Sequence, residues 1–167
     1  MNKPSQLKIR KFKSEDFSGL GECLATLQDY VAKLDPFKIY LPREKFDTKT
    51  YTKNSIEDME KEDGVIFVAL LGKEIVGAVI GSIMKQTPEA LIEKKAIKKG
   101  MIWELVVLEG NRGHGIGTQL LETIENYFKE KGCDHIGLDV KWFNTNAHKL
   151  YQKNGYIETT IHMLKKV

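Results

Sequence analysis

The chain lacks any apolar run near the ~20 residues that a membrane-spanning helix needs, so no membrane partner is expected. Its amino-terminal stretch, MNKPSQLKIRKF, has lysines but no apolar export-signal core. Cysteine is scarce. Cys23 and Cys133 have no metal-binding spacing and are expected as reduced thiols in a cytoplasmic protein. His135, His148 and His162 stand without ligand partners at useful spacing, so no metal is expected. Strong charge is missing too. A net +3 fits polyanionic small ligands, and no basic arm suggests nucleic acid. No linker, repeat or low-complexity tract interrupts residues 1–167, which read as a single domain. Apolar residues at 41% and charged residues at 29% are ordinary for a globular chain.

The stretch MIWELVVLEGNRGHGIGT, Met101 to Thr118, stands out from this ordinary background. Met101 to Leu108 reads as a buried strand, Glu109-Gly110-Asn111 as a turn, and a helix starts within Arg112 to Gly117. Strand, glycine-rich turn and helix N-terminus together make a phosphate site. The first helical N–H groups have no intrahelical partner, and the dipole is positive there. Glu104 is the odd residue, because an acid in a core-like strand is costly unless solvated, paired or used. By strand alternation it shares a face with Ile102 and Val106.

Other elements follow from periodicity. Leu7 to Phe12 reads as an edge strand, and Ser14 as the cap of a helix packing Phe17, Leu20, Leu24, Leu27 and Val31. Lys33 to Asn54 is irregular and aromatic, with Phe37, Tyr40, Phe46 and Tyr51. It is either a surface loop anchored by its rings or the wall of an acceptor site. Ser55-Ile56-Glu57-Asp58 resembles a capping box. Val65–Leu71 and Ile75–Met84 read as a hairpin across Gly72-Lys73-Glu74. The lysine-rich insertion 86–100 lies at the far end of the next strand from the glycine turn and reads as a solvated loop. A helix then carries Ile116, Leu120, Leu121, Ile124 and Phe128. His135–Val140 reads as a strand, and Asn144 or Thr145 caps a short helix. Tyr156–Lys165 reads as one or two last strands. The order gives an α/β (or α+β) fold with one mixed sheet.

Three readings of the glycine turn compete. A dinucleotide site needs Gly-x-Gly-x-x-Gly, whereas Gly113, Gly115 and Gly117 alternate; Asp139, about 20 residues on, keeps that reading open. A nucleotide P-loop needs Gly-Lys-Ser/Thr, and no lysine follows Gly117. A purely structural turn is the third.

Arg112-x-x-Gly115-x-Gly117 resembles the Gln/Arg-x-x-Gly-x-Gly/Ala signature of the GNAT superfamily of acyl-CoA-dependent N-acetyltransferases. Asn146-Ala147, Leu150-Tyr151 and Asn154-Gly155-Tyr156 resemble its second motif, with Tyr156 in place of phenylalanine. The resemblance covers roughly Ile75 to Tyr156. It implies a mostly antiparallel sheet flanked by helices, acetyl-CoA as cosubstrate and an amine acceptor of unread identity, with 101–156 carrying the acyl-CoA site. It assigns the pyrophosphate to the turn formed by Arg112, Gly113, His114, Gly115, Ile116, Gly117 and Thr118. It assigns the pantetheine arm to Leu105, Val106, Val107 and Asn146. It makes Tyr151 the acid that protonates the thiolate and points to Glu104 as the base. Each residue has a plainer alternative: Glu104 paired with a lysine or arginine, Tyr151 a packed aromatic, Asn146 a helix-start residue. A non-catalytic acyl-CoA sensor needs the turn but neither Glu104 nor Tyr151. A homodimer is compatible with the chain.

Overall fold

The computed structural model describes residues 6–166; the start of the stretch read for an export signal and both ends of the 1–167 domain lie outside that range. Five strands form one sheet in chain order: β1 (Leu7–Lys11), β2 (Gly64–Leu71), β3 (Glu74–Met84), β4 (Lys99–Val107) and β5 (His135–Leu138). The first three pairings are antiparallel and β4–β5 is parallel. The parallel pair needs a crossover, and α4 (Ile116–Glu130) supplies it.

Both sheet faces are covered, which is why β2 reads as a continuous apolar run. Val65, Phe67 and Ala69 pack toward α4, with its Ile116, Leu120, Leu121, Ile124 and Phe128. Ile66, Val68 and Leu70 pack toward Leu20, Cys23 and Leu24 of α1 (Phe17–Leu34) and Met59 of α2 (Thr48–Lys61). α3 (Ala90–Glu93) is one turn within the lysine-rich insertion. α5 (Thr145–Lys153) has Asn144 as its cap, its side chain accepting from the Ala147 N–H.

Several expectations are corrected. Ser14 does not cap α1. Asp16 does the local work instead, accepting the Lys13 N–H at 2.8 Å and a two-armed contact from Arg10 at 2.6 and 2.9 Å. The Arg10 guanidinium holds the Asp16 carboxyl below its ordinary value, against the upward push of burial. α2 starts at Thr48 rather than Ser55, because Asp47 accepts the Thr50 N–H and makes the cap about two turns earlier. Ser55 is inside α2 and returns its hydroxyl to the Tyr51 carbonyl. β5 stops at Leu138, and residues 156–166 form no strand, with Ile157, Ile161 and Met163 each at least 80% exposed.

β4 carries an irregularity that the rest of the site depends on. Ile80 pairs with Glu104, and its neighbour Gly81 pairs with Ile102. Trp103 is therefore an extra residue, a β-bulge, and it reverses the alternation. Ile102 joins the core on the α4 side and Val106 the core on the α1 side. Glu104 shares a face with Val106 and not with Ile102, contrary to simple period-two counting.

Candidate active site

The parting of β4 from β5 is the central feature. Their pairing runs only from Lys99↔His135 to Ile102↔Leu138. Beyond the bulge, Trp103 to Val107 have no strand on that side among the described residues. A bulge bends its strand and ends local pairing. The indole N–H of Trp103 donates to the buried Ser82 Oγ at 2.9 Å, which anchors the bulge. The result is an open strand edge with unpaired backbone groups, suited to receive an extended ligand.

β4 runs into the glycine turn. Gly113 and Gly115 have φ of 80° and 76°, values that favour glycine. Gly115 caps α4, and the first helical bond closes from the Gln119 N–H to the Gly115 carbonyl at 3.1 Å. The N–H groups of Gly115, Ile116, Gly117 and Thr118 thus precede the helical ladder and remain available to an anion. His114 is exposed. The Arg112 Nε donates to the Val107 carbonyl at 2.9 Å, tying the turn to the strand end, and its guanidinium lies 4.8 Å from the centre of the Tyr30 ring. Asn146 Nδ2 donates to the Tyr30 hydroxyl at 3.3 Å. Tyr30 of α1 thereby joins the two motif regions, a role with no signal in the sequence beyond its aromatic type. The lysine-rich insertion meets β4 at Lys99, eight strand steps or roughly 25 Å from the turn.

A cavity of about 270 Å³ opens beside the bulge. Glu104 and Tyr151 both line it, with Tyr51, Tyr40, Phe46 and Trp103. Glu104 is half-buried, and among the described residues it is not paired with a lysine or arginine. Its partner is the Tyr51 hydroxyl, which donates to Glu104 Oε1 at 2.5 Å. Burial pushes the Glu104 carboxyl above the ordinary carboxylate value, and the Tyr51 hydrogen bond opposes that push in part. Burial, and then the Glu104 charge, push the Tyr151 phenol up to about 12. Its ring packs edge-on to Tyr156 at 5.8 Å. The aromatic segment read as loop or acceptor wall thus supplies cavity residues, and Tyr51 comes from α2. Asp35, buried at the end of α1, organises the preceding loop by accepting from the N–H groups of Phe37, Ile39 and Tyr40. Among the described residues no cluster of three or more metal-ligating side chains occurs, and no helix is long and apolar enough to cross a membrane.

Comparison with known proteins agrees with this architecture. Residues 29–156 match the acetyltransferase (GNAT) family. An uncharacterized N-acetyltransferase of Methanocaldococcus jannaschii is 30% identical over 149 residues, 89% of this chain and 76% of that one. A solved protein from Bacillus halodurans superposes with a TM-score of 0.81 at 21% identity, covering 96% of this chain and 99% of its own. An aminoglycoside N-acetyltransferase solved in complex with CoA gives 0.71 at 18% identity, covering 100% and 98%. At these identities the two structures speak to fold. The family match across most of the chain, with the relative from Methanocaldococcus jannaschii beside it, means that the chain belongs to the GNAT family of acetyl-CoA-dependent acetyltransferases.

Proposed function

We propose that this single domain acetylates a primary amine by direct attack on acetyl-CoA in a ternary complex. The observation that carries the reading is the meeting of Glu104 and Tyr151 in one cavity, where β4 leaves β5. The pyrophosphate sits on the N–H groups of the Arg112–Thr118 turn. The pantetheine arm lies along Leu105, Val106 and Val107, and Asn146 leaves Tyr30 to meet it. A backbone N–H on the opened β4 edge polarises the thioester carbonyl.

An alkylammonium of pKa about 10.4 is neutral in less than about one part in a thousand at pH 7. Glu104 takes its proton, directly or through a water, and burial makes the carboxylate a stronger base than a solvated one. The neutral nitrogen attacks the thioester carbon, the C–S bond breaks as Tyr151 donates a hydrogen bond to the departing thiolate, and the second proton of the nitrogen passes through water to the sulfur, which leaves as the CoA thiol. Tyr51 holds one oxygen of Glu104.

The test has two readouts. Acetyl-CoA raises the melting temperature, because binding only the folded state adds about 2.7 kcal/mol at 100 times Kd. For a chain of this size that is a shift of roughly 5–10 °C. No shift at millimolar acetyl-CoA removes the CoA reading. Thiol release over a panel of amines then tests transfer: binding without release means an acyl-CoA sensor.

The pH dependence identifies the base. Activity requires ionised Glu104, so kcat/KM falls as pH drops through its raised value, above the ordinary 4.5. Tyr51→Phe removes a hydrogen bond that favours the ionised form, so the acid limb moves to higher pH. A limb that stays in place, with turnover otherwise measurable, assigns the deprotonation to another group.

A further inference from the structure

We infer that the acceptor is a monoamine carried on an apolar body, recognised by the aromatic wall around Glu104. The inference rests on Glu104 as the amine's destination and deepens that reading by naming the substrate class. An amine nitrogen at the Glu104 carboxylate lies beside Tyr51, whose hydroxyl is 2.5 Å from Oε1. Tyr51 in turn packs on Phe46 with ring centroids 5.1 Å apart. Trp103 is held at the bulge by Ser82, and Tyr40 lines the same cavity. The substituent next to the nitrogen therefore meets a lining of aromatic rings with Leu24, Leu27 and Val31 of α1, beside the neutral polar side chains of Gln28 and Asn144. Aromatic rings favour apolar bodies and attract an adjacent ammonium through their π faces.

Charge points the same way. The lining carries two carboxylates, Glu104 and Asp139, and one ammonium, Lys141, whose Nζ is 5.6 Å from the Tyr40 ring centre. With all three ionised, the balance matches one incoming cation. A polyamine or aminoglycoside brings several charges; once Glu104 has met the first, Asp139 alone remains for the others, beside the repelling Lys141. Burying an unmatched charge is costly.

Two sources share this chemistry: a free aryl- or alkylamine, and the α-amine of an apolar residue at a polypeptide N-terminus. The experiment compares kcat/KM at saturating acetyl-CoA for phenethylamine, a short peptide led by leucine, the same peptide led by aspartate, spermidine and neamine. Phenethylamine or the leucine-led peptide exceeds the other three by about tenfold or more, and whichever of the two leads identifies the source. Phe46→Ala, or Tyr40→Ala should the first misfold, raises KM for the favoured amine about tenfold and leaves acetyl-CoA affinity in place. Spermidine, neamine or the aspartate-led peptide equalling the apolar amines overturns the inference. Calorimetry with the protein–CoA complex separates this from a failure of catalysis. An apolar amine that binds without thiol release in the assay keeps the pocket assignment and removes acyl transfer. An apolar amine that neither binds nor reacts overturns the assignment.

Discussion

Acetyl-CoA binding is lost in Gly115→Asp while the protein stays folded. Gly115 has φ 76°, and a Cβ built there meets nothing within 4 Å. The cost of the substitution is conformational, about 1–2 kcal/mol for an L-residue in the left-handed region. Aspartate tolerates that region better than most residues. It is also a favoured helix cap, so its carboxylate takes the N–H groups of Gly117 or Thr118 for itself. The fold therefore holds, and the anion site is filled from within. A phosphate approaching to about 4 Å of that carboxylate meets about 4 kcal/mol of repulsion at an effective dielectric of 20, roughly a thousandfold in affinity. Gly115→Asn is the control, since it brings the same backbone cost without the charge. Its affinity falls less. Calorimetric titration of both variants, with circular dichroism for the fold, checks this. Unchanged affinity in a folded Gly115→Asp protein places the phosphates away from this turn.

The glycine turn was legible because its requirement is local: a helix N-terminus with positive-φ glycines is encoded within a few residues. The strands β2 to β4 were legible as short apolar runs and the helix α4 by the period of its buried face, both local signals. Glu104 was visible as a polar residue in an apolar run. Its surroundings were not. The bulge at Trp103 depends on the register between β3 and β4, so alternation placed Glu104 on the face of Ile102, and the structure separates the two. Tyr51 lies 53 positions from Glu104 in the chain, and no spacing rule links them. The same holds for Tyr30, whose neighbours Arg112 and Asn146 come from two other elements. Residues 156–165 show the opposite failure. Their alternation suits a strand, but a strand needs a partner edge, and pairing is decided by tertiary context rather than by propensity.

Turnover falls by roughly 10- to 150-fold in Tyr151→Phe, the loss of one hydrogen bond to a charged acceptor, while acetyl-CoA affinity changes little. The substitution keeps the ring and its edge contact with Tyr156. The hydroxyl has no protein hydrogen-bond partner among the described residues, so stability changes by less than the ~1 kcal/mol of a typical lost bond. On the proposed binding mode the phosphates and pantetheine meet backbone groups of the turn and β4, so binding is preserved. The chemical step is where the hydroxyl matters. With burial and the nearby Glu104 charge holding the phenol at about 12, it keeps its proton at neutral pH. A free thiol, with an ordinary pKa near 8.5, is a stronger acid than a phenol raised by burial, so the proton rests mainly on the phenol oxygen. In the proposed mechanism Tyr151 therefore acts first as a strong hydrogen-bond donor to sulfur as the C–S bond breaks. A bond to a charged acceptor contributes about 1.5–3 kcal/mol, and 3 kcal/mol is already about a hundredfold. The upward shift means that Tyr151 introduces no alkaline limb into the rate profile near neutral pH. A loss in kcat without loss of ground-state binding is the mark of an interaction formed in the transition state. Equal losses of acetyl-CoA affinity and turnover make Tyr151 a packing residue. Full turnover in the variant, with chemistry limiting, means that the thiolate leaves without its help.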